Sequence, residues 1–380
     1  MKRTIFSPAS LAAAAYFLVV GLIMGGWAAE IPLAKERLGG GDGLFGTALL
    51  SIAAGAIAAM PLAGALINRF GSRRLVSVAG FAYCTVYIGT SLVETLLSFM
   101  LCGLAFGAAL GLTDVAMNTQ GLAIERRAHT PIMSALHGMY SVGGLLGALI
   151  GGALIGWLGA TGQALVMSLA CFVILLVARS FLLPAGIDKG LSETHFALPT
   201  KATLGLGLLC FLTLLIEGAL TDWSGLYLQH DLAVDAGSAA AGFGLFSGGM
   251  AVSRFLGDRM RLIVGSVYMV RSSALLAFIG LIGALQTPNP LVAVAMLALA
   301  GIGIGNLAPI LFAGGGRMEP SAPGRGIAAV TTLGYTGMLS GPPLIGFLAD
   351  GVGLHLALWS LAAMAFIVMA SARMVEALDR

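Results

Sequence analysis

Asp114, Asn118 and Gln120 stand in the run Gly-Leu-Thr-Asp114-Val-Ala-Met-Asn118-Thr-Gln120, inside a stretch otherwise made of Leu, Ala, Phe, Met and Gly. On a helix, Gly103, Gly107, Gly111, Asp114, Asn118, Gly121 and Glu125 recur every three or four residues and share one stripe bare of large side chains. The stripe sets a proton acceptor, Asp114, beside a hydrogen-bonding amide, Asn118. In a bilayer, an ionised side chain near a helix centre costs roughly 2.5–3.5 kcal/mol on insertion scales, so Asp114 should face protein or water. An interhelical hydrogen bond is worth about 0.6 kcal/mol, and Ser or Thr would serve as well. That favours proton exchange by Asp114 over helix adhesion. Gln120 points to another side, as a candidate substrate ligand.

Other apolar stretches carry further candidates. Glu217 and the pair Asp222-Trp223 lie five residues apart, about 140° around a helix, so the two acids cannot face one point. Glu217 is the deeper and the better proton-coupling candidate; Asp222 and Trp223 could hold a solute near the helix end, Trp223 by stacking. His137 can titrate in the physiological range and relay protons. Asn306, Tyr335 and Trp27 are candidate ligands, and Glu30 has Lys35 and Arg37 within reach as partners. Arg271 either lies deep and pairs with Glu217 or Asp222, or starts its helix and snorkels to the surface, which is preferred. Cys84, Cys102, Cys171 and Cys210 lack metal or redox spacing, so no metal is expected. No HExxH, GxSxG or nucleotide loop is present, which argues against an enzyme and against a cofactor. The Gly301-Ile-Gly303-Ile-Gly305 run is not a dinucleotide fingerprint, because Asn306 takes the last glycine's place.

The elements that position these groups follow from composition. Of 380 residues, 58% are hydrophobic and 10% charged, and the mean hydropathy is +0.97. The 55 glycines are about twice the usual share. This describes an all-α membrane protein whose helices approach closely. Windows long enough to cross about 30 Å of hydrocarbon place twelve transmembrane helices at 9–30, 44–67, 75–93, 96–122, 132–157, 163–183, 203–227, 239–257, 267–286, 289–313, 326–349 and 354–375. The first, after Lys2 and Arg3, is too long for a signal core and reads as a retained span. With both termini cytoplasmic, every Lys and Arg except Lys35, Arg37 and Arg271 falls on the inner side, satisfying the positive-inside rule. The net charge of +3 is dispersed over many loops and suggests no nucleic-acid partner.

The interval 184–202, with Asp188, Lys189, Glu193 and His195, divides the spans into six-helix bundles at 1–183 and 203–380. A weak repeat at a shift of 194 residues pairs Gly71 with Gly265, Gly111 with Gly305, Glu125 with Glu319 and Gly159 with Gly353. Two pseudo-symmetric bundles would flank a site near the bilayer midplane.

The loop Gly64-Ala-Leu-Ile-Asn68-Arg69-Phe-Gly71-Ser-Arg73-Arg74 resembles the signature of the major facilitator superfamily, with Asn68 in the acid's place. A second copy after span eight, Arg254-Phe-Leu-Gly257-Asp258-Arg259, keeps the acid. Asp114-Val-Ala-Met-Asn118, Ser134-Ala-Leu-His137-Gly and Gly334-Tyr335-Thr-Gly-Met-Leu-Ser-Gly341-Pro342-Pro343 are most similar to the fucose-permease-like branch and its bacterial inner-membrane relatives. The resemblance implies a secondary transporter of a small polar solute, proton-coupled through an acid in span four, working by alternating access without an obligate protein partner. Efflux of hydrophobic compounds by proton antiport, or a receptor that has lost transport, are the alternatives. The signature loops, with Gly147, Gly341 and Pro342, are expected to serve gating and close helix packing.

Overall fold

Apolar runs with no water to bond their backbone groups satisfy them along a helix. A computed structural model describes residues 7–129, 132–184, 197–319 and 321–378, apart from the side chains of Ala236, Asp258, Pro323, Ala377 and Leu378. Lys2, Arg3, Asp188, Lys189, Glu193, His195 and Arg380, and with them most of the interval expected as a linker, lie outside the described residues.

The elements are α1 (Pro8–Leu38), α2 (Asp42–Phe70), α3 (Ser72–Leu92), α4 (Leu96–Ala128), α5 (Met133–Ala178), α6 (Leu204–His230), α7 (Ala236–Val264), α8 (Ser266–Gln286), α9 (Pro290–Ile304), α10 (Leu307–Met318), α11 (Pro323–Val352) and α12 (Leu354–Ala370). Short 3-10 turns occupy Arg179–Phe181 and Ala372–Leu378. The twelve expected spans are present, but they do not map one to one. Spans five and six are the two halves of α5, and span ten is α9 with α10.

α5 has 46 residues. Straight, it would reach about 69 Å, twice the hydrocarbon thickness. It turns at Gly159, whose φ of 69° and ψ of 178° no other residue adopts without strain. Before the turn it runs beside α1 in the same direction, Gly143 at Leu18, Gly147 at Leu22 and Gly151 at Gly26. After it the chain returns antiparallel to α3, with Gln163 bonded to Tyr87 and Leu175 against Gly80.

Contacts divide the described helices into two compact units. One holds α1, α3, α4, α5 and α2 from Ser51 onward; the other holds α6 to α12 together with Gly39–Leu50. In the first, the α4 glycine stripe meets α2 at backbone distance, Gly107 at the Ile52 carbonyl and Gly111 on Ala56, while Gly55 of α2 meets the Leu104 carbonyl. In the second, Gly301 meets the Phe246 carbonyl, Gly305 packs on Met250, and Gly249 meets the Ala298 carbonyl. Each of these contacts is the other displaced by 194 residues. Gly71 (φ 83°, ψ 151°) and Gly265 (φ 81°, ψ 166°) likewise share a conformation, as do Gly159 and Gly353. The repeat read from glycines is thus a repeat of helix crossings and turns.

Several expected boundaries move outward, α1 to Leu38 and α4 to Ala128 among them, and one bears on the signature. Span eight is expected at 239–257, with the second signature copy at its end. α7 instead continues to Val264, so Arg254, Gly257, Asp258 and Arg259 lie on the helix. Gly265 makes the turn that Gly71 makes in the first unit, as the 194-residue repeat pairs them.

Candidate functional site

α4 positions the central acid. The helix starts cleanly at Thr95, whose hydroxyl accepts the Ser98 N–H at 3.2 Å while Ser98 reaches back to the Thr95 N–H. Asp114 lies about 27 Å along from Leu96 and about 21 Å from Ala128, in the middle third. Its carboxylate is half-buried. Asn118 Nδ2 donates to Asp114 Oδ1 at 3.2 Å and to the Asp114 carbonyl at 2.9 Å. Among the described residues no other hydrogen bond and no ion pair reaches this carboxylate. Gly111 one turn before is spent on α2, and Gly121 one turn after Asn118 lies against Met133 and Leu136 of α5.

Gln120, two residues on, leaves the stripe and is consumed by the fold. Its Nε2 donates to Ser72 Oγ at 2.7 Å and to the Leu183 carbonyl at 3.2 Å, and its Oε1 accepts the Leu183 N–H at 3.0 Å. Glu125 closes the same helix by accepting the N–H groups of Ile132 at 2.8 Å and Met133 at 3.1 Å. A carboxylate there compensates the positive end of α5. Glu319 makes the corresponding tie in the second unit, accepting the Thr200 hydroxyl and pairing with Arg325 at 3.4 Å.

α6 holds Glu217 and Asp222 on different sides. Glu217, 7% exposed, pairs with Arg254 of α7 at 3.2 Å, and the Arg254 Nε donates to the Gly305 carbonyl at 3.2 Å where α9 gives way to α10. Among the described residues Glu217 Oε2 has no partner. Arg254, expected on the inner side, is 8% exposed and turned toward Glu217 rather than to the surface of its unit. Asp222 is half-buried, and among the described residues no hydrogen bond or ion pair reaches it. Arg271 falls in the second turn of α8, half-buried, with no ion pair to Glu217.

The remaining candidates divide by what their polar atoms do. Asn306 donates to the Ser253 carbonyl at 2.7 Å, and its amide fills the space a Cβ on Gly257 would need. The Trp223 ring is fully buried, edge-on to Phe45 at 6.4 Å, with no partner for Nε1 among the described residues. Trp27 is stacked on Phe99 at 5.7 Å and edge-on to Phe106 at 6.4 Å, inside the first unit. His137 is half-buried in the second turn of α5, edge-on to Phe17 at 5.1 Å. Tyr335, on α11, is half-buried near Phe312 at 6.5 Å. Glu30 is fully buried, pairing with Arg37 at 3.3 Å and accepting the Thr90 hydroxyl at 3.3 Å.

The signature loop is a tight turn. Asn68 and Arg69 are exposed at the end of α2, Arg69 lies over the Phe70 ring at 5.0 Å, and Gly71 supplies the positive φ. Arg73 donates to the Ser180 carbonyl at 3.2 Å. Gly147 packs on the Leu22 carbonyl and Gly341 on Leu215 and Ala219, with Pro342 and Pro343 inside α11. No group of three or more potential metal ligands occurs among the described residues. The ion-pair role of Arg254 was missed because it stands three residues before the end of the apolar window. Its position on a helical span is the signal that could have found it.

Twelve helical spans in two repeat-related units, with carboxylates and amides held inside apolar helices, define a helical membrane transporter. The family model of the Major Facilitator Superfamily matches residues 9–314, and the chain belongs to that superfamily. It is 34% identical over 364 residues to an uncharacterized MFS-type transporter of Yersinia pestis, covering 94% of each chain. It is 33% identical over 361 residues to the membrane protein MosC of Rhizobium meliloti, covering 94% of this chain and 88% of that one. Among solved structures, a bacterial homologue of the human lysosomal transporter Spinster in an inward-facing, occupied conformation matches with TM-score 0.72 at 14% identity, covering 98% and 97%. The nucleoside transporter NupG matches with TM-score 0.71 at 13% identity, covering 96% and 99%. At such identities the likeness speaks for the fold alone.

Proposed function

We propose that the chain moves a small polar metabolite across a bacterial inner membrane by proton symport and alternating access, with both termini in the cytoplasm. The observation that carries this is the half-buried Asp114 carboxylate in mid-helix, met among the described residues by one neutral amide and no cation. Such a carboxylate changes the local charge by a full unit when it takes a proton, whereas Glu217 is already neutralised by Arg254. Protonated, Asp114 offers an O–H donor and Asn118 keeps its amide oxygen for a hydroxyl or amine of the solute. Loss of the proton on the other side restores the anion and accompanies solute release.

His137 is proposed as a relay, and in the second unit the half-buried Asp222 and Tyr335 are the candidate solute ligands. Trp27, Gln120, Asn306 and Trp223 are committed to packing and are better read as supports. The asymmetric distribution of Lys and Arg supports the orientation.

The test begins with a thermal-shift screen of metabolites on purified protein, followed by transport of the hits in proteoliposomes. Asp114→Asn should abolish accumulation driven by a pH gradient while leaving counterflow at least partly intact. Accumulation that still follows the pH gradient in that variant would refute the assignment.

A further inference from the structure

Arg73, Phe81, Thr85 and Ile88 share one face of α3, and Leu165, Leu169, Phe172 and Arg179 share one face of the returning half of α5. The two helices run antiparallel, so both arginines lie at the same end, where Arg73 donates to the Ser180 carbonyl at 3.2 Å. Between the faces is a cavity of about 350 Å³ walled by Thr85, Ile88, Leu165, Leu169 and Phe172. Thr85, Leu165, Leu169 and Phe172 are exposed while Cys84 and Ser168 at its base are buried, so the cavity opens to the surroundings of the unit. The buried Ser168 hydroxyl in its lining has no partner among the described residues. Phe172 joins the cavity to the charged end: its ring meets Phe81 at 4.4 Å, and the Arg179 guanidinium lies 5.9 Å over Phe81.

We infer that this groove seats an anionic phospholipid of the bilayer, its phosphate on Arg73 and Arg179 and one acyl chain in the cavity. Length, polarity and charge agree. From Leu169 to Arg179 the helix rises about 15 Å, the depth of one hydrocarbon leaflet, so a chain whose headgroup sits at the arginines reaches Leu169 and Phe172. The lining is apolar where a chain would lie and cationic where a phosphate would lie. Among the described residues no carboxylate pairs with either arginine, so both guanidinium groups retain donors for phosphate oxygens. A groove on the lipid-facing side of a membrane protein is filled by lipid in any case; the arginines select which lipid.

The inference is tested on purified, delipidated protein in detergent, given phosphatidylglycerol or phosphatidylcholine and examined by native mass spectrometry. Wild type should retain phosphatidylglycerol in preference. Arg179→Gln should weaken that retention about fivefold, and the double variant with Arg73→Gln should erase the preference. Thr85→Trp and Leu169→Trp each fill the cavity from an exposed position, and each should displace the lipid. Circular dichroism identifies any variant that fails to fold, and the other tryptophan then decides. Equal retention of both lipids, retention undisturbed by the folded tryptophan variants, or competition by inorganic phosphate alone would each overturn the inference.

Discussion

Glu217 and Arg254 lie 3.2 Å apart with less than a tenth of either side chain exposed. Removing one member of such a pair leaves an uncompensated charge and typically costs 3–5 kcal/mol, whereas replacing both by apolar groups of similar size is often neutral. Glu217→Leu and Arg254→Met should therefore each lower the unfolding midpoint of the purified protein, and the double variant should recover most of the loss. Additive losses would show that the two residues are not coupled. At the helix N-terminus of α7, Asp235 accepts the Ser238 N–H at 3.0 Å, and the Ser238 contacts hold its carboxyl below the usual aspartate range. A lowered value stabilises the folded chain above the unfolded pKa and loses that contribution as pH falls through the folded one. Asp235→Ala should then cost about 1 kcal/mol or less at neutral pH, for an exposed cap. The difference in midpoint should be constant above about pH 4 and shrink below it. Asp114 and Asn118 were legible as a pair because a spacing of four residues fixes a shared helical face. Arg254 was not, because a charge near the end of an apolar run looks the same whether it reaches solvent or turns inward to an acid 37 residues earlier.

For the helices, the informative side chains are the missing ones. A Cβ on Gly107 would overlap the Ile52 carbonyl oxygen, which belongs to a helix backbone and cannot rotate away. Gly107→Leu should force α2 and α4 apart and sharply reduce folded protein, measured as the monodisperse fraction after detergent extraction. Gly156, with nothing within 4 Å of the same position, should accept alanine with little change. The spans could be read from sequence because a bilayer demands about twenty apolar residues whatever their partners. The division of span ten at Gly305 and Asn306 could not. It depends on a guanidinium and a carbonyl contributed by α7, more than fifty residues away.

Across the whole molecule, packing repeats and chemistry does not. The α2–α4 contacts recur in α7 and α9 at a constant shift, yet the position equivalent to Asp114 is Ala308 and that equivalent to Asn118 is Phe312. The second unit has its own buried charges, Glu217 and Arg254, whose first-unit counterparts are Ile23 and Met60. Small residues at crossings are constrained by every neighbour and keep their register, as do Glu125 and Glu319 at helix ends, whereas the polar residues inside the spans differ between the units. If both termini are cytoplasmic, a reporter active only outside the cytoplasm should stay silent when fused after Arg380 and be active when inserted near Gly39. The opposite pattern would reverse the proposed orientation.

Residues 156–159 are exposed, Trp157 at 89%, yet no loop residue separates the two halves of α5 at Gly159. Insertional mutagenesis should find this point intolerant, because one residue added to the turn of helix after it would twist the downstream segment by about 100°. That would carry Gln163 off Tyr87 and Arg179 off Phe81 together.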